Sequence, residues 1–156
     1  DIEGARNECS QAITADPNCT AAYYRKGLLL LNLDGGRGAD RISDLLEQAT
    51  RGQTSDLDAA DDCFKQSIRT AAGVGNGNVE GTSLTGTDIV AQCNLNLALT
   101  AVLRVAANCA SGHPEYARNW ADVARQHIDQ ARQGHLDRKT SEMAQAIDSL
   151  LSKLGY

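Results

Sequence analysis

The chain is poor in aromatic residues, proline and methionine. Its 156 residues include one Phe, one Trp, one Met and two Pro, and aromatic residues make up 4% of the total. Long stretches without proline favour helices, because proline removes a backbone donor and clashes with the preceding turn. Hydrophobic residues make up 42% and charged residues 22%. This composition is typical of one globular domain rather than of a disordered chain.

Positive charge is also scarce. Lys and Arg number 15 against 20 Asp and Glu, which gives a net charge of −5. An acidic balance argues against nucleic acid as the main partner. The longest uninterrupted apolar run, at 27–31, is far shorter than the roughly 20 residues that span a bilayer, so we expect no membrane insertion. No signal peptide is visible and the chain opens with Asp1, so we expect a cytoplasmic protein or one whose targeting segment has been removed.

Patterns typical of a disulfide scaffold, a metal site or a catalytic centre are missing. The five Cys form no CxxC pair, which favours buried thiols, with a Cys9–Cys19 disulfide as the alternative in a secreted protein. The three His are too widely spaced for a zinc site. The acids at 56–62 fail the calcium-loop pattern, because Asp61 and Ser67 stand where that loop needs Gly and Glu. We expect no cofactor, no metal and no enzymatic activity; an enzyme that uses these acids with a metal is the weakest alternative.

Hydrophobic residues recur at helical spacing along most of the chain, and no segment shows the two-residue period of a strand. An all-α fold is therefore expected. Polar or glycine-rich breaks are expected at 34–38, 50–56 and 73–87, the last as a surface loop, and Asp88 is expected to cap the helix that follows. Helices are predicted at 3–15, 20–33, 40–50, 57–72, 89–108, 115–133 and 140–154.

The stretch 12–27 resembles the tetratricopeptide repeat. In that family the second helix of a repeat ends in small residues and an Asp-Pro-Asn-type signal, as at 12–18. The next helix then carries an aromatic residue and a small residue four positions later, as at Tyr23 and Gly27. The segment 93–98 is similar to the first helix of a later repeat. The resemblance therefore covers an incomplete first repeat, a second repeat and a third.

The resemblance implies antiparallel helix pairs, about six or seven helices in all, stacked as a short right-handed solenoid in a single domain over 1–156. Small residues such as Gly27 would let two helices approach closely, while Phe64 fills the remaining gap. Insertions near 34–56 and 73–87 depart from the family pattern, so another antiparallel helical-repeat domain is the alternative. Because the first helix matches the second helix of a repeat, we expect a fragment of a longer protein.

The resemblance also implies a concave groove, lined by the first helix of each repeat, that suits an extended peptide or a partner protein. Apolar side chains would supply burial, while Arg25 and Asn96 would fix the orientation of the partner. The leucines of this set fit a hydrophobic core equally well. The expected partner-binding residues are Tyr24, Arg25, Leu28, Leu31, Asn32, Gln92, Leu95, Asn96, Leu99 and Val102.

The favoured function is a non-enzymatic scaffold for protein–protein interaction. One alternative is an accessory subunit held permanently in a larger assembly, with the two insertions as docking elements. Another is a domain that holds the carboxylate tail of a chaperone. Asn96 and Arg25 match two residues of such a clamp, although Ala21 stands where the clamp needs a Lys.

Overall fold

The computed structural model describes residues 1–33, 38–134 and 136–156. Within these ranges the chain is all-helical, with seven α-helices, and its only extended pairing is an isolated bridge between Asn78 and Thr85. The prediction of an all-α chain is confirmed. The helices are α1 (Ile2–Ala15), α2 (Thr20–Leu30), α3 (Gly38–Thr50), α4 (Ser55–Ala72), α5 (Gly86–Ala110), α6 (Pro114–Arg132) and α7 (Arg138–Lys153).

Proline sets the ends of two helices. α1 stops at Asp16, whose backbone is extended, because Pro17 disfavours helical geometry in the residue before it. α6 begins with Pro114 at its first position, where no backbone donor is needed. The break predicted at 34–38 lies outside the described residues, except for Gly38, which begins α3.

α2 ends earlier than its sequence pattern predicts. The residue after its C-cap, Asn32, adopts a left-handed backbone conformation with φ 54°. The amides of Asn32 and Leu33 donate to the carbonyls of Leu29 and Leu28, at 3.0 and 2.8 Å. This pair of bonds is a Schellman motif, in which Asn is tolerated where glycine is usual. Asn32 therefore terminates the helix rather than continuing it.

The N-terminus of α5 differs from the prediction that Asp88 caps the helix. The N-cap residue is Thr85, whose hydroxyl accepts from the Asp88 amide at 3.1 Å. The Asp88 carboxylate accepts in return from the Thr85 amide at 3.0 Å. The two residues form a capping box, so Asp88 contributes from the third helical position.

The loop at 73–87 is held against the helices more firmly than a surface loop. Val79 is buried at its centre, and the loop closes on itself through the Asn78–Thr85 bridge. A Cβ atom at Gly86 would lie 2.5 Å from the carbonyl oxygen of Ala71, so only glycine fits where the loop enters α5. The insertion therefore belongs partly to the packed core.

α5 is the centre of the fold. It packs against α3, α4, α6 and α7, while α2 packs against α1 and α4. The helix α3 is an insertion in chain order, since α2 and α4 on either side of it pack directly together. Its apolar residues Leu45 and Ala49 are nevertheless buried. The inserted helix thus adds a fourth neighbour to α5.

Among the described helices, α5 is long and apolar enough to cross a membrane by length and composition. Its most apolar window has a mean hydropathy of 1.5, and 89% of that window is buried inside the fold. The core helix of a folded domain has these same properties. The scattered Asn and Thr residues of α5 keep its uninterrupted apolar runs short.

Candidate functional site

Two residues of the predicted groove, one on α2 and one on α5, contact each other. The Tyr24 hydroxyl donates a hydrogen bond to the side-chain oxygen of Gln92. Both side chains are half-buried, and Tyr24 also packs against the hydrophobic core. The two bonded residues are 68 positions apart in the sequence. It marks the place where α2 and α5 share one surface.

Gln92 also lines a cavity of about 200 Å³ that extends to the start of α7. Asp137 begins this helix, because its carboxylate accepts from the Thr140 amide at 2.8 Å. The bonds from Thr140 lower the pKa of Asp137, so this carboxylate stays ionised at the edge of the cavity. The lining consists of Leu84, Asp88, Ala91, Gln92, Leu136, Asp137 and Thr140.

The other predicted residues of α2 occupy different environments. Arg25 is exposed, and Leu28 is half-buried against the core. Leu31 is 1% exposed and belongs to the core itself. Asn32 is half-buried and its backbone terminates α2. Tyr24, Arg25, Leu28 and Asn32 are therefore accessible in part to another molecule, whereas Leu31 is not.

The predicted groove residues in the middle of α5 are not accessible. Leu95 and Leu99 are 0% exposed and Asn96 is 4% exposed. Val102 is likewise buried. Four helices surround α5, so every side of its middle turns is covered. This corrects the expectation that these residues line an open groove, and it removes Asn96 as a surface ligand for a chaperone carboxylate.

A second site was not found from the sequence. Arg104 on α5 donates to Asp61 at 2.6 Å and to Asp58 at 2.5 Å, and its guanidinium carbon lies 4.4 Å from the centre of the Trp120 ring. Thr100 donates to the other oxygen of Asp61 at 2.5 Å. The sequence does carry a signal for this site, because Asp58 and Asp61 are three residues apart and Thr100 and Arg104 are four apart, as on one face of a helix.

A cavity of about 370 Å³ lies beside this ion pair, within the size range of small-ligand sites. It is formed where α3 and α5 end, where α4 begins, and against one side of α6. Its lining combines one guanidinium, one carboxylate, an indole ring and several neutral polar groups. The lining residues are Gly52, Thr54, Asp58, Arg104, Ala107, Asn108, Ser111 and Trp120.

The chain was compared with known proteins at three levels. No protein-family model, no curated protein and no solved structure matches it. The tetratricopeptide resemblance therefore rests on the residues of the chain alone.

His127 is held between α5 and α6. Its Nδ1 lies 2.9 Å from the side-chain oxygen of Asn94. The Asn94 amide donates to the Val90 carbonyl at 3.0 Å, so its oxygen is the acceptor and Nδ1 of His127 is the donor. Burial lowers the pKa of His127, an effect that Asp61 partly offsets. The imidazole is therefore a neutral structural group at physiological pH.

The other His and Cys side chains that were considered as metal ligands or disulfide partners are not grouped into a site. His113 is exposed in the turn before α6, and His135 lies outside the described residues. Cys93 is fully buried, and burial raises the pKa of its thiol to about 12. Cys19 is a free thiol and so forms no disulfide with Cys9. Across residues 1–33, 38–134 and 136–156, no three His, Cys, Asp or Glu side chains are grouped to hold a metal ion.

Proposed function

We propose that this chain is a tetratricopeptide-like helical-repeat module that binds another protein, or an extended peptide of it, without catalysing a reaction. The binding surface we propose runs from α2 across the first two turns of α5 to the start of α7, and we refer to it as the α2–α5–α7 surface. Its residues are Tyr24, Arg25, Leu28, Asp88, Gln92, Asp137 and Thr140.

The packing order of the helices supports a repeat architecture. With α3 set aside, six helices remain, and each of the first five packs on the helix that follows it in the chain. The connections from α1 to α2 and from α5 to α6 are short, which favours antiparallel pairs. In stacked antiparallel pairs, alternate helices lie on the same side. α2, α5 and α7 are alternate helices in this order once α3 is left out.

The position of Gln92 is the observation that carries the proposed surface. Its side chain accepts a hydrogen bond from Tyr24 on α2 and also lines the cavity that reaches Thr140 on α7. One residue of α5 thus connects groups from α2 and α7. Half-buried apolar and aromatic side chains next to polar groups are typical of peptide-binding grooves.

The alternative of an accessory subunit docking through its insertions has less support. The apolar face of the first insertion is used within the chain, since Leu45 and Ala49 of α3 are buried. Val79 of the second insertion is buried as well. Neither insertion therefore leaves these apolar residues free to bind a partner.

Site-specific photocrosslinking tests the proposed surface. A photoreactive amino acid is placed at Gln92, at the exposed Gln126 of α6, or at the exposed Ser43 of α3 in otherwise identical proteins. Each protein is irradiated in a lysate of the source organism, and crosslinked proteins are identified by mass spectrometry. We expect a partner that crosslinks from position 92 and not from position 126.

The partner is then purified and its affinity is measured for the wild type, Gln92→Arg and Gln126→Arg. We expect Gln92→Arg to weaken binding about tenfold or more, because a long charged side chain would fill the cavity, while Gln126→Arg leaves it unchanged. Crosslinking only from Ser43 would support the accessory-subunit alternative instead. Equal crosslinking from all three positions would contradict a defined binding surface.

A further inference from the structure

The ion-pair cluster beside the cavity between α4, α5 and α6 has one negative charge in excess. Arg104 is 10% exposed and is paired with two carboxylates. Asp61, at 12% exposure, balances the guanidinium in the interior, whereas the side chain of Asp58 is 92% exposed at the rim. Two carboxylates against one guanidinium leave a net charge of about −1 in this cluster, of which Asp58 and Arg104 line the cavity, counted at unit charge for each ionised group.

The neutral polar groups of the lining supply hydrogen-bond acceptors. The Asn108 amide donates to the Arg104 carbonyl at 2.8 Å, which leaves its side-chain oxygen as an acceptor. Thr54 stands at the N-cap of α4, but its hydroxyl makes no capping bond. Ser111 donates to the Asn108 carbonyl at 3.3 Å, and its hydroxyl oxygen lies 3.3 Å from Nδ1 of His113. Nη1 and Nη2 of Arg104 already donate to Asp61 and Asp58, and the acceptors that remain in the lining suit a ligand that donates.

The helix ends at the cavity favour positive charge in the same place. Gly52 and Ser111 lie just beyond the C-termini of α3 and α5, where the helix dipole is negative. Neither helix has a basic residue in its last turn. The positive pole of α4 is offset by its own first-turn acids, Asp56 and Asp58. Arg51, next to Gly52, is paired with Glu47 at 2.5 Å.

We propose that this cavity binds an ammonium or guanidinium group, carried by a lysine or arginine side chain of another protein or by a small free amine. Asp58 supplies the counter-charge, Asn108 and Thr54 supply neutral acceptors, and the Trp120 ring supplies an electron-rich wall that already attracts Arg104. The cavity shares no lining residue with the α2–α5–α7 surface, so this proposal does not depend on the function proposed above.

The chain provides its own probe for this site, because Trp120 is its single tryptophan. We would titrate the whole chain with the peptides acetyl-Gly-Lys-Gly-amide and acetyl-Gly-Arg-Gly-amide, with n-butylamine, and with acetyl-Gly-norleucine-Gly-amide as the uncharged match. The expected result is a saturable change in Trp120 fluorescence with the cationic probes, which weakens with added salt, and none with norleucine. Tighter binding of the peptides than of n-butylamine assigns a protein side chain as the ligand, and equal binding assigns any small amine.

Two matched variants decide whether Asp58 is the counter-charge. Asp58→Asn is expected to weaken binding about tenfold or more, since a charge-assisted bond is lost. Asp56→Asn makes the same charge change two residues away, in the same first turn of α4 but outside the lining, and is expected to leave the affinity nearly unchanged. Equal losses in the two variants would overturn the proposal in favour of non-specific attraction. A response to norleucine, saturable binding of acetate in place of the amines, or no response to any cation would also overturn it.

Discussion

Gly27 of α2 lies directly against the ring of Phe64 on α4. A Cβ atom at Gly27 would stand 2.6 Å from Cε1 of Phe64 and 2.8 Å from Cζ. Phe64 is 0% exposed, so its ring has no space into which it could move. The absence of a side chain at Gly27 is what allows α2 and α4 to pack at this separation.

Gly27→Ala is expected to destabilise the protein by about 1–3 kcal/mol through overpacking. Alanine gains only about 0.5–1 kcal/mol in helix propensity over glycine, so the clash dominates. The measurement is urea denaturation followed by circular dichroism. Gly73→Ala is the control, since a Cβ there meets only the Thr70 carbonyl, at 3.7 Å. An unchanged midpoint for Gly27→Ala would contradict the close contact.

Asp61 and Asp58 both pair with Arg104, yet their loss is expected to have very different effects. Asp61→Ala leaves a buried guanidinium with only an exposed partner, and should lower the free energy of unfolding by about 3–5 kcal/mol. Asp58→Ala should cost far less, because its side chain is 92% exposed. Denaturant titrations of both variants make the comparison. Similar losses would show that burial of the pair does not determine its contribution.

His127 makes stability depend on pH. Burial lowers its pKa in the folded state below the ordinary value of 6.5, so the unfolded chain binds the proton more readily. The stability contributed by the neutral imidazole is complete above pH 6.5 and is lost as the pH falls toward the folded-state pKa. We expect His127→Gln to flatten this part of the curve of unfolding free energy against pH.

The exposed His113 provides the control for this experiment. His113→Gln removes an imidazole from the turn before α6 and is expected to keep the slope of the wild type. If His127→Gln retained the full slope, the acid sensitivity would have to come from other groups.

Cys93 is expected to resist alkylation in the folded protein. Burial raises the pKa of its thiol to about 12, and the reactive thiolate is then almost absent at neutral pH. Cys109 is exposed at the end of α5 and should react first with iodoacetamide. Peptide mass spectrometry at successive times follows each site, and unfolded protein serves as the control in which both react. Modification of Cys93 as fast as Cys109 before unfolding would contradict the burial.

Local chemistry explains why the helices could be predicted. Pro17 and Pro114 fix helix ends through their own rings, and the apolar residues of each helix recur at helical spacing whatever lies opposite. The close approach of two helices at Gly27 was also predicted, from the resemblance to a repeat in which small residues allow such packing, and Phe64 is the residue it meets. The end of α2 was predicted too late, at residue 33 instead of Leu30, since Asn32 ends the helix with a backbone conformation that is usual for glycine.

The candidate sites could be predicted only in part. Tyr24 and Gln92 were both expected on one surface, and the structure joins them by a hydrogen bond. Leu95 and Leu99 were assigned to the same surface but lie in the core. An apolar residue has the same identity whether it faces a partner or a neighbouring helix, so the pattern could not separate these two positions.

The sequence by itself determined that this chain is helical and roughly where each helix begins and ends, because caps, prolines and apolar spacing act over a few residues. Only the tertiary structure decided that α3 packs on α5, and with it that the middle of α5 is enclosed. It also decided that Arg104 meets Asp61 and Asp58 across 43 and 46 residues of chain. Such contacts depend on how whole helices approach one another, which no short segment of sequence specifies.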